Sequence, residues 1–257
     1  MNTNTEPIVR VENLTVAYGD DVILKDISFE VGTGEIFVIL GGSGCGKSTL
    51  LKHMIRLREP VKGRVLIDGI DVFAAEGYEL RGILRRIGVM YQNGALFGSM
   101  DLLDNICLVL EEFTNLPRAA MEMIALTKLN IVGLVESAYK MPSELSGGMK
   151  KRAAIARAMA LDPKILFLDE PSAGLDPVTS AQVDELILKL SQSLKMTFVI
   201  VTHELPSIFT VADRVIMLEQ RIRGILAAGR PQDLRDHSDN SLVRQFFNRR
   251  AETEAPE

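Results

Sequence analysis

The chain of 257 residues has little of several features that would assign it to a specialised class. Its two cysteines, Cys45 and Cys107, fit neither a disulfide framework nor a metal-ligand spacing, which favours a reducing cytosol. Lys and Arg number 29 against 34 Asp and Glu, and this net charge of −5 provides no attraction to nucleic acid. No apolar run approaches the roughly 18 residues of a spanning helix, and the polar start lacks the parts of a signal peptide. We therefore expect no nucleic-acid partner, and membrane contact through partner proteins only.

The sequence does have the pattern of a large α/β unit without internal repeats. Residues 7–31 combine short alternating apolar runs with a turn at 19–21, which predicts an antiparallel β-layer. Three short apolar runs, 36–40, 165–168 and 197–202, resemble buried parallel strands. Each is followed by a polar or glycine-rich turn and a helical pattern, the alternation of a parallel sheet.

Two helical regions accompany this predicted sheet. Between about 93 and 143 the pattern is mainly helical and predicts an insertion between two strands. Near the carboxyl end an apolar stripe at helical spacing precedes an acidic end that we expect to be disordered. The stripe either docks on the chain's own core or contacts a partner, and it consists of Leu242, Val243, Phe246 and Phe247.

A complete phosphate-binding pattern, "GGSGCGKST" (41–49), lies between the first buried strand and a helical run. We expect its backbone amides to surround a β-phosphate, Lys47 to reach the β and γ oxygens, and Ser48 to bind Mg²⁺. Thr49 lies near the α-phosphate, and Cys45, beside a helix N-terminus and Lys47, is expected to have an acidic, reactive thiol. The loop's candidate nucleotide-binding residues are Gly41, Gly42, Ser43, Gly44, Cys45, Gly46, Lys47, Ser48 and Thr49.

Acidic and basic residues follow the other two buried strands. Asp169 ends the strand of "ILFLDE" and is a candidate Mg²⁺ ligand, largely through water. Glu170 comes next and is a candidate for polarising the attacking water. His203 follows "TFVIVT", and its strand end should face the γ-phosphate. We therefore assign Glu170, His203 and Lys47 as candidate catalytic residues.

A second stretch, "LSGGMKKRAAIARA" (145–158), has a serine and two glycines before a helical run but no Lys-Ser ending. It resembles the signature segment of ABC-type ATPases, and the resemblance extends from about Ile8 to Gly229. It implies an α/β P-loop NTPase fold of the ABC ATPase type, with a parallel-sheet core, an antiparallel β-layer and a helical subdomain. The implied bounds are 8–238 for the domain, about 93–160 for the subdomain, and 239–257 for a C-terminal helix and tail.

The same resemblance implies further site residues and a dimer. Tyr18 would stack on adenine, Gln92 would join Mg²⁺ to the insertion, and Asp176 lies in the loop that touches the opposite subunit. In this family two cassettes pack head to tail, and the signature of one closes over the nucleotide of the other. Ser146 and the amides of Gly147 and Gly148 would then meet the γ-phosphate of an ATP held by a second copy. We expect a homodimer that binds ATP and Mg²⁺ at two shared sites.

Three classes of nucleotide-binding protein have a phosphate-binding loop of this kind: transporter ATPase subunits, soluble ABC ATPases, and P-loop kinases or GTPases. A transporter subunit fits best. Soluble ABC ATPases that act on DNA, ribosomes or cofactor assembly often carry two cassettes or a coiled-coil insertion, and this chain has neither. A P-loop kinase or GTPase does not account for the signature segment or for "SAGLDP" (172–177).

Short stretches narrow the resemblance to the ATPase subunit of MCE-associated (Mla-type) lipid transporters. They are "QNGALFGSMDLLDNICLVLEE" (92–112), "MPSELSGGM" (141–149), whose signature ends in Met149, and "VRQFF". The group moves phospholipid between the inner and outer membranes of Gram-negative envelopes, which maintains outer-membrane lipid asymmetry. Solvent efflux and import of another substrate are the alternatives.

The resemblance to this group also implies partners and a location. The expected partners are an integral-membrane permease, a periplasmic MCE-domain protein and a STAS-domain protein. The permease's coupling helix should dock at "GALFGSM" (94–100). The expected location is peripheral, at the cytoplasmic face of the inner membrane.

Overall fold

The structure is a computed structural model that describes residues 6–248. Within that range the strands are β1 (Val9–Tyr18), β2 (Asp21–Val31), β3 (Ile36–Gly41), β4 (Lys62–Ile67), β5 (Ile70–Asp71), β6 (Ile87–Met90), β7 (Ile165–Asp169), β8 (Thr197–Val201), β9 (Arg214–Glu219) and β10 (Gly224–Gly229). The α-helices are α1 (Lys47–Met54), α2 (Gly77–Arg86), α3 (Leu102–Phe113), α4 (Arg118–Ile131), α5 (Gly147–Ala158), α6 (Pro177–Leu194), α7 (Leu205–Val211), α8 (Pro231–His237) and α9 (Ser241–Asn248). Two 3₁₀ turns, Val135–Ser137 and Pro142–Glu144, lie between α4 and α5.

The larger sheet has six strands in the order β10-β9-β3-β8-β7-β6. Its neighbouring strands are parallel, except that β10 pairs antiparallel with β9. Every residue of β3, β7 and β8 is buried, as expected for apolar strands covered on both faces. Because these three strands are parallel neighbours, their carboxyl ends meet at one edge, where ligands bind in α/β folds. The three strands predicted from sequence are confirmed, whereas β6 and β9, which complete the parallel sheet, were not identified.

Alternate residues of this sheet contribute to two hydrophobic cores, one on each face. Phe37 and Phe167 pack on the side of β1, β2 and α1. Val38 and Leu166 pack on the opposite side, against α3 to α7 and α9. The sheet is therefore the central layer between a β-rich and a helical layer.

The β-rich layer is a four-stranded antiparallel sheet with the order β2-β1-β4-β5. A two-residue turn joins β1 to β2, and its Gly19 has a φ of 59°, in the left-handed region that glycine adopts readily. This sheet confirms the antiparallel β-layer predicted for residues 7–31.

The predicted helical insertion contains α3 and α4 and continues through the 3₁₀ turns into α5. Asp101 caps α3, because its carboxylate accepts a hydrogen bond from the backbone N–H of Asp104 at 2.8 Å. The bounds of about 93–160 for this subdomain and 8–238 for the whole domain stay predictions.

The C-terminal stripe docks on the chain's own core. Val243 and Phe247 of α9 are buried there, and Phe247 makes edge-to-face contacts with Phe209 and Phe246. The acidic end, 249–257, lies outside the described residues. Among the helices of residues 6–248, none is long and apolar enough to cross a membrane.

Candidate functional site

The segment 41–49, here called the P-loop, joins β3 to α1 at the ligand-binding edge of the large sheet. Gly41 has a φ of 148°, and a Cβ there would lie 2.4 Å from the Leu218 carbonyl oxygen and 2.6 Å from Cys45 Sγ. The chain therefore needs glycine at this point. Lys47 Nζ donates hydrogen bonds to the carbonyl oxygens of Gly41 and Gly42, both at 2.9 Å. Its charge thus lies over the loop's own backbone, where phosphate oxygens would be the preferred acceptors.

A hydroxyl and a carboxylate meet beside this loop. Ser48 Oγ donates a hydrogen bond to Asp169 Oδ1 at 3.1 Å, joining the first turn of α1 to the end of β7. Burial raises the pKa of the Asp169 carboxyl, and the Ser48 hydrogen bond acts in the opposite direction. Two hard oxygen donors suit Mg²⁺, which usually takes one or two protein ligands together with substrate phosphates and water. Residues 6–248 hold no cluster of three or more His, Cys, Asp and Glu side chains that would form an all-protein metal site.

Glu170 and His203 are in direct contact. His203 Nδ1 lies 2.7 Å from Glu170 Oε1, and Thr202 Oγ1 donates to Glu170 Oε2 at 3.2 Å. An ionised carboxylate only accepts hydrogen bonds, so Nδ1 carries the proton in this contact and leaves Nε2 for another partner. The Glu170 side chain is 8% exposed and that of His203 57% exposed. The pair therefore consists of a nearly buried carboxylate and a histidine that reaches solvent.

The backbone of Glu170 is also constrained. Its φ is 51°, which is uncommon for a residue with a side chain, and its N–H donates to the Val201 carbonyl at 2.8 Å. Neighbouring strands thus fix this turn, which directs the carboxylate toward the end of β8.

Tyr18 lies beside the P-loop, with its hydroxyl 3.3 Å from Thr49 Oγ1. Its ring is 38% exposed, and the Arg58 guanidinium lies 4.5 Å from the ring centroid. The aromatic surface is available next to the loop, with an arginine over one face.

The signature residues form a separate group at the start of α5. Ser146 caps this helix, its Oγ accepting from the Met149 N–H at 3.3 Å. A Cβ at Gly148 would lie 2.3 Å from Thr179 Cγ2 on α6. Asp176 caps α6 through the N–H groups of Val178 and Thr179. Among residues 6–248, the hydrogen bonds of Ser146, Gly147 and Gly148 do not reach the P-loop of the same chain.

Gln92 lies in the loop after β6 with an exposed side chain, and its carbonyl oxygen accepts a hydrogen bond from Lys151 Nζ. Lys151 was not identified from the sequence. In "GGMKKR" it resembles one more surface lysine of a helix, yet it is buried. Its neighbours on the loop and at Glu170 are far away in sequence, so no local pattern indicates this contact.

The expectation that Cys45 is acidic is wrong. Cys45 is 2% exposed, and this burial raises the pKa of its thiol, outweighing the opposing charge of Lys47. The backbone N–H of Lys47 at the helix N-terminus also acts to lower the pKa, but burial of the sulfur in the core of the β-rich layer outweighs it. The backbone amide of Cys45 remains a candidate phosphate contact.

We predict that maleimide labels Cys45 slowly at pH 7, with or without MgATP. A raised pKa leaves less reactive thiolate at neutral pH than an ordinary cysteine has, and the rate should rise as the pH increases. Cys107 is the internal comparison, because burial raises the pKa of its thiol to about 11. Mass spectrometry of labelled native and urea-unfolded protein measures both sites. Rapid labelling of Cys45 in the native protein at pH 7 would contradict this assignment.

Comparison with known proteins identifies the family of this chain. The ABC transporter family matches residues 24–173, more than half of the chain. MlaF, an intermembrane phospholipid transport ATP-binding protein of Haemophilus influenzae, is 38% identical over 257 residues, covering 100% of this chain and 94% of the relative. A probable ribonucleotide transport ATP-binding protein, mkl of Mycobacterium leprae, is 42% identical over 242 residues, covering 94% of this chain and 69% of the relative.

Solved structures agree with these sequence relatives. A dimeric ATP-binding cassette in a post-hydrolysis state, bound to ADP and Pi, superposes with a TM-score of 0.78 at 31% identity. The match covers 86% of this chain and 98% of that one. The predicted fold class is confirmed, and the chain belongs to the ABC transporter family of ATPases.

Proposed function

We propose that this chain hydrolyses ATP to drive phospholipid transport between the inner and outer membranes, maintaining outer-membrane lipid asymmetry. The observation that carries the proposal is the similarity to MlaF, which spans this whole chain and 94% of the relative. The stretches at 92–112 and 141–149, which resemble the Mla type, lie in the parts of the chain outside the nucleotide-binding strands.

Ribonucleotide transport is the second candidate, because mkl has the higher identity, 42%. This chain spans 69% of the mkl length, so about a third of that relative has no counterpart here. We favour phospholipid because the relative with that activity matches nearly end to end.

We infer ATP as substrate and Mg²⁺ as cofactor. Lys47 would leave its two carbonyl partners for the β and γ oxygens, and the P-loop amides would surround the β-phosphate. Ser48 and Asp169, 3.1 Å apart, would hold Mg²⁺ directly and through water, with Gln92 as the link to the insertion. Held there, Mg²⁺ would supply positive charge to offset the charge that develops on the transferring group.

We infer that the working unit is a homodimer with composite sites. Ser146 and Gly147 are exposed at the start of α5, and the Ser146 hydroxyl accepts a hydrogen bond from within its own helix turn. They are thus available to the γ-phosphate held by a second copy, with Asp176 on the neighbouring helix start. The dimeric form of a similar cassette supports this arrangement.

Within such a site, we assign water activation to Glu170 and the γ-phosphate contact to His203. Glu170 would accept a proton from the attacking water, and His203 would donate a hydrogen bond to a γ-phosphate oxygen. Loss of the γ-phosphate would remove the contacts that join the two copies, so they separate after hydrolysis.

We expect the permease of this system to dock on the loop 94–100. Phe97 in this loop is 49% exposed, although it is a large apolar side chain. The buried Asn105 amide holds the loop by donating to the carbonyls of Phe97, Met100 and Asp101. An MCE-domain protein and a STAS-domain protein would complete the assembly, with this chain peripheral at the cytoplasmic face of the inner membrane.

The substrate is tested on the whole complex purified from its native membranes. The permease that accompanies this chain is identified by mass spectrometry, and bound lipid is extracted and quantified. ATP-dependent phospholipid transfer between labelled vesicles is then compared with ATP-dependent ribonucleotide uptake in the same proteoliposomes. Phospholipid transfer supports the proposal, whereas ribonucleotide uptake without lipid transfer contradicts it.

We predict that Tyr18→Ala raises the Kd for ATP roughly 5- to 150-fold, because stacking on a base contributes about 1–3 kcal/mol. Tyr18→Phe keeps the ring and loses only the exposed hydroxyl contact with Thr49, so its Kd should stay within about 5-fold of the parent. Titration with a fluorescent ATP analogue measures both. An unchanged Kd in Tyr18→Ala would place the adenine elsewhere.

A further inference from the structure

Two cationic side chains of α5, Lys151 and Arg157, are buried at 8% and 9% exposure. Buried cations are usually paired with carboxylates. Here their hydrogen bonds go to backbone carbonyls instead. Burial lowers the pKa of both side chains, because removal from water disfavours their charged forms.

Most of these hydrogen bonds attach the loop 92–95 to α5, here called the signature helix. Arg157 donates to the carbonyls of Gly94 and Ala95, the first at 2.9 Å, and Lys151 donates to that of Gln92. Gly94 also packs on Ala154, so a Cβ at Gly94 would lie 3.3 Å from the Ala154 Cβ. The segment 92–95 is thus joined to α5 along two of its turns.

Lys151 has a second partner, which belongs to the site of hydrolysis. Its Nζ donates to the Glu170 carbonyl oxygen at 2.9 Å. That carbonyl belongs to the residue with a φ of 51°, whose carboxylate contacts His203. One ammonium group therefore connects the signature helix, the loop 92–95 and the turn that orients Glu170.

We propose that Lys151 is a positioning residue that fixes the Glu170 turn against the signature helix and the loop 92–95. An ammonium group suits this place, because it has three donors and the carbonyl oxygens of Gln92 and Glu170 both lie within hydrogen-bond distance. Through this contact, a shift of the loop or of α5 would move the Glu170 carboxylate. The proposal rests on the role assigned to Glu170 in hydrolysis.

The test substitutes methionine for Lys151 and, in a separate variant, for its neighbour Lys150. Lys150 is the matched control, because among residues 6–248 its side chain makes no hydrogen bond or ion pair. Lys151→Met should lower kcat about 10-fold or more relative to Lys150→Met, since a displacement of about 1 Å can cost about 10²-fold. The KM for ATP should stay within about threefold, because Lys151 is outside the P-loop. Lys151→Arg, which keeps the charge and donors, should recover part of kcat.

Combination with Glu170→Gln separates positioning from a general structural effect. If Lys151 acts through the Glu170 carboxylate, Lys151→Met should cause little further loss once that carboxylate is an amide. An additional 10-fold loss in the double variant, or equal kcat for Lys151→Met and Lys150→Met, would overturn the proposal.

Thermal unfolding checks that the variants fold. If Lys151→Met does not fold, Lys151→Gln is compared with Lys150→Gln by the same criteria. Near-normal turnover of Glu170→Gln alone would instead contradict the proposed catalytic site.

Discussion

Glu170→Gln should still bind MgATP but lose at least about 10²-fold in turnover, the usual contribution of a positioned general base. The amide has the size of the carboxylate. Its oxygen can accept from His203 while its NH₂ donates to the Thr202 hydroxyl, so the local packing should persist. It cannot take a proton from water, and this is the step that the substitution removes. Phosphate release at saturating ATP measures kcat, and a fluorescent ATP analogue measures binding.

The variant should also accumulate a dimer with ATP bound, because hydrolysis is what would release the second copy. Light scattering with and without MgATP measures this change in mass. Glu204→Gln is the matched control, since Glu204 lies 3.9 Å from His203 Nε2 and is 40% exposed. It makes the same chemical change beside the same histidine, and its kcat should stay within about fivefold because exposed pairs contribute at most about 1 kcal/mol. Near-normal turnover in Glu170→Gln would exclude Glu170 as the base.

The buried strands and the P-loop could be predicted because their signals are local. A run such as 36–40 is apolar throughout, and the loop that follows it has the complete spacing of glycines, lysine and serine. β6 has only four residues, and the apolar run of β9 is four residues between Arg214 and Glu219. Their places in the sheet depend on pairing with residues far along the chain. Sheet order therefore required the structure.

Two side chains show where sequence patterns mislead. Cys45 was expected to be acidic from its neighbours along the chain, but burial of the sulfur dominates its pKa. Lys151 stands between two other basic residues and resembles a solvated helix face, although it contacts carbonyls near 92 and 170. In both cases the environment across the fold, rather than the adjacent residues, determines the chemistry.

Gly148→Ala should lower ATPase turnover about 10- to 100-fold, the cost expected when a binding element is displaced by about 1 Å. The new Cβ would lie 2.3 Å from Thr179 Cγ2, whereas carbon atoms pack at roughly 3.5–4.0 Å. Thr179 cannot easily rotate away, because its hydroxyl donates to the Asp176 carboxylate. The start of α5 must therefore move, and with it Ser146 and the amides proposed to meet the γ-phosphate of the second copy.

Helix propensity alone predicts that Gly148→Ala stabilises α5. Alanine in place of glycine favours a helix by up to about 1 kcal/mol, while overpacking costs about 1–3 kcal/mol. Steric overlap should outweigh propensity here because the obstructing atom belongs to a short, branched and hydrogen-bonded side chain. Gly147→Ala is the matched control, since its Cβ would lie 3.2 Å from Leu175 Cδ2, the end of a flexible side chain. Its turnover should therefore fall less than that of Gly148→Ala.

Removal of the obstructing methyl group tests the cause directly. Thr179→Ser lacks Cγ2 but keeps the hydroxyl that donates to Asp176, so it should be nearly neutral alone. Combined with Gly148→Ala, it should restore most of the lost turnover and of the ATP-dependent dimer. Such recovery is a coupling between two residues in contact, which independent effects would not give. Persistent loss in the double variant would mean that the Cβ at position 148 interferes with the second copy rather than with α6 of its own chain.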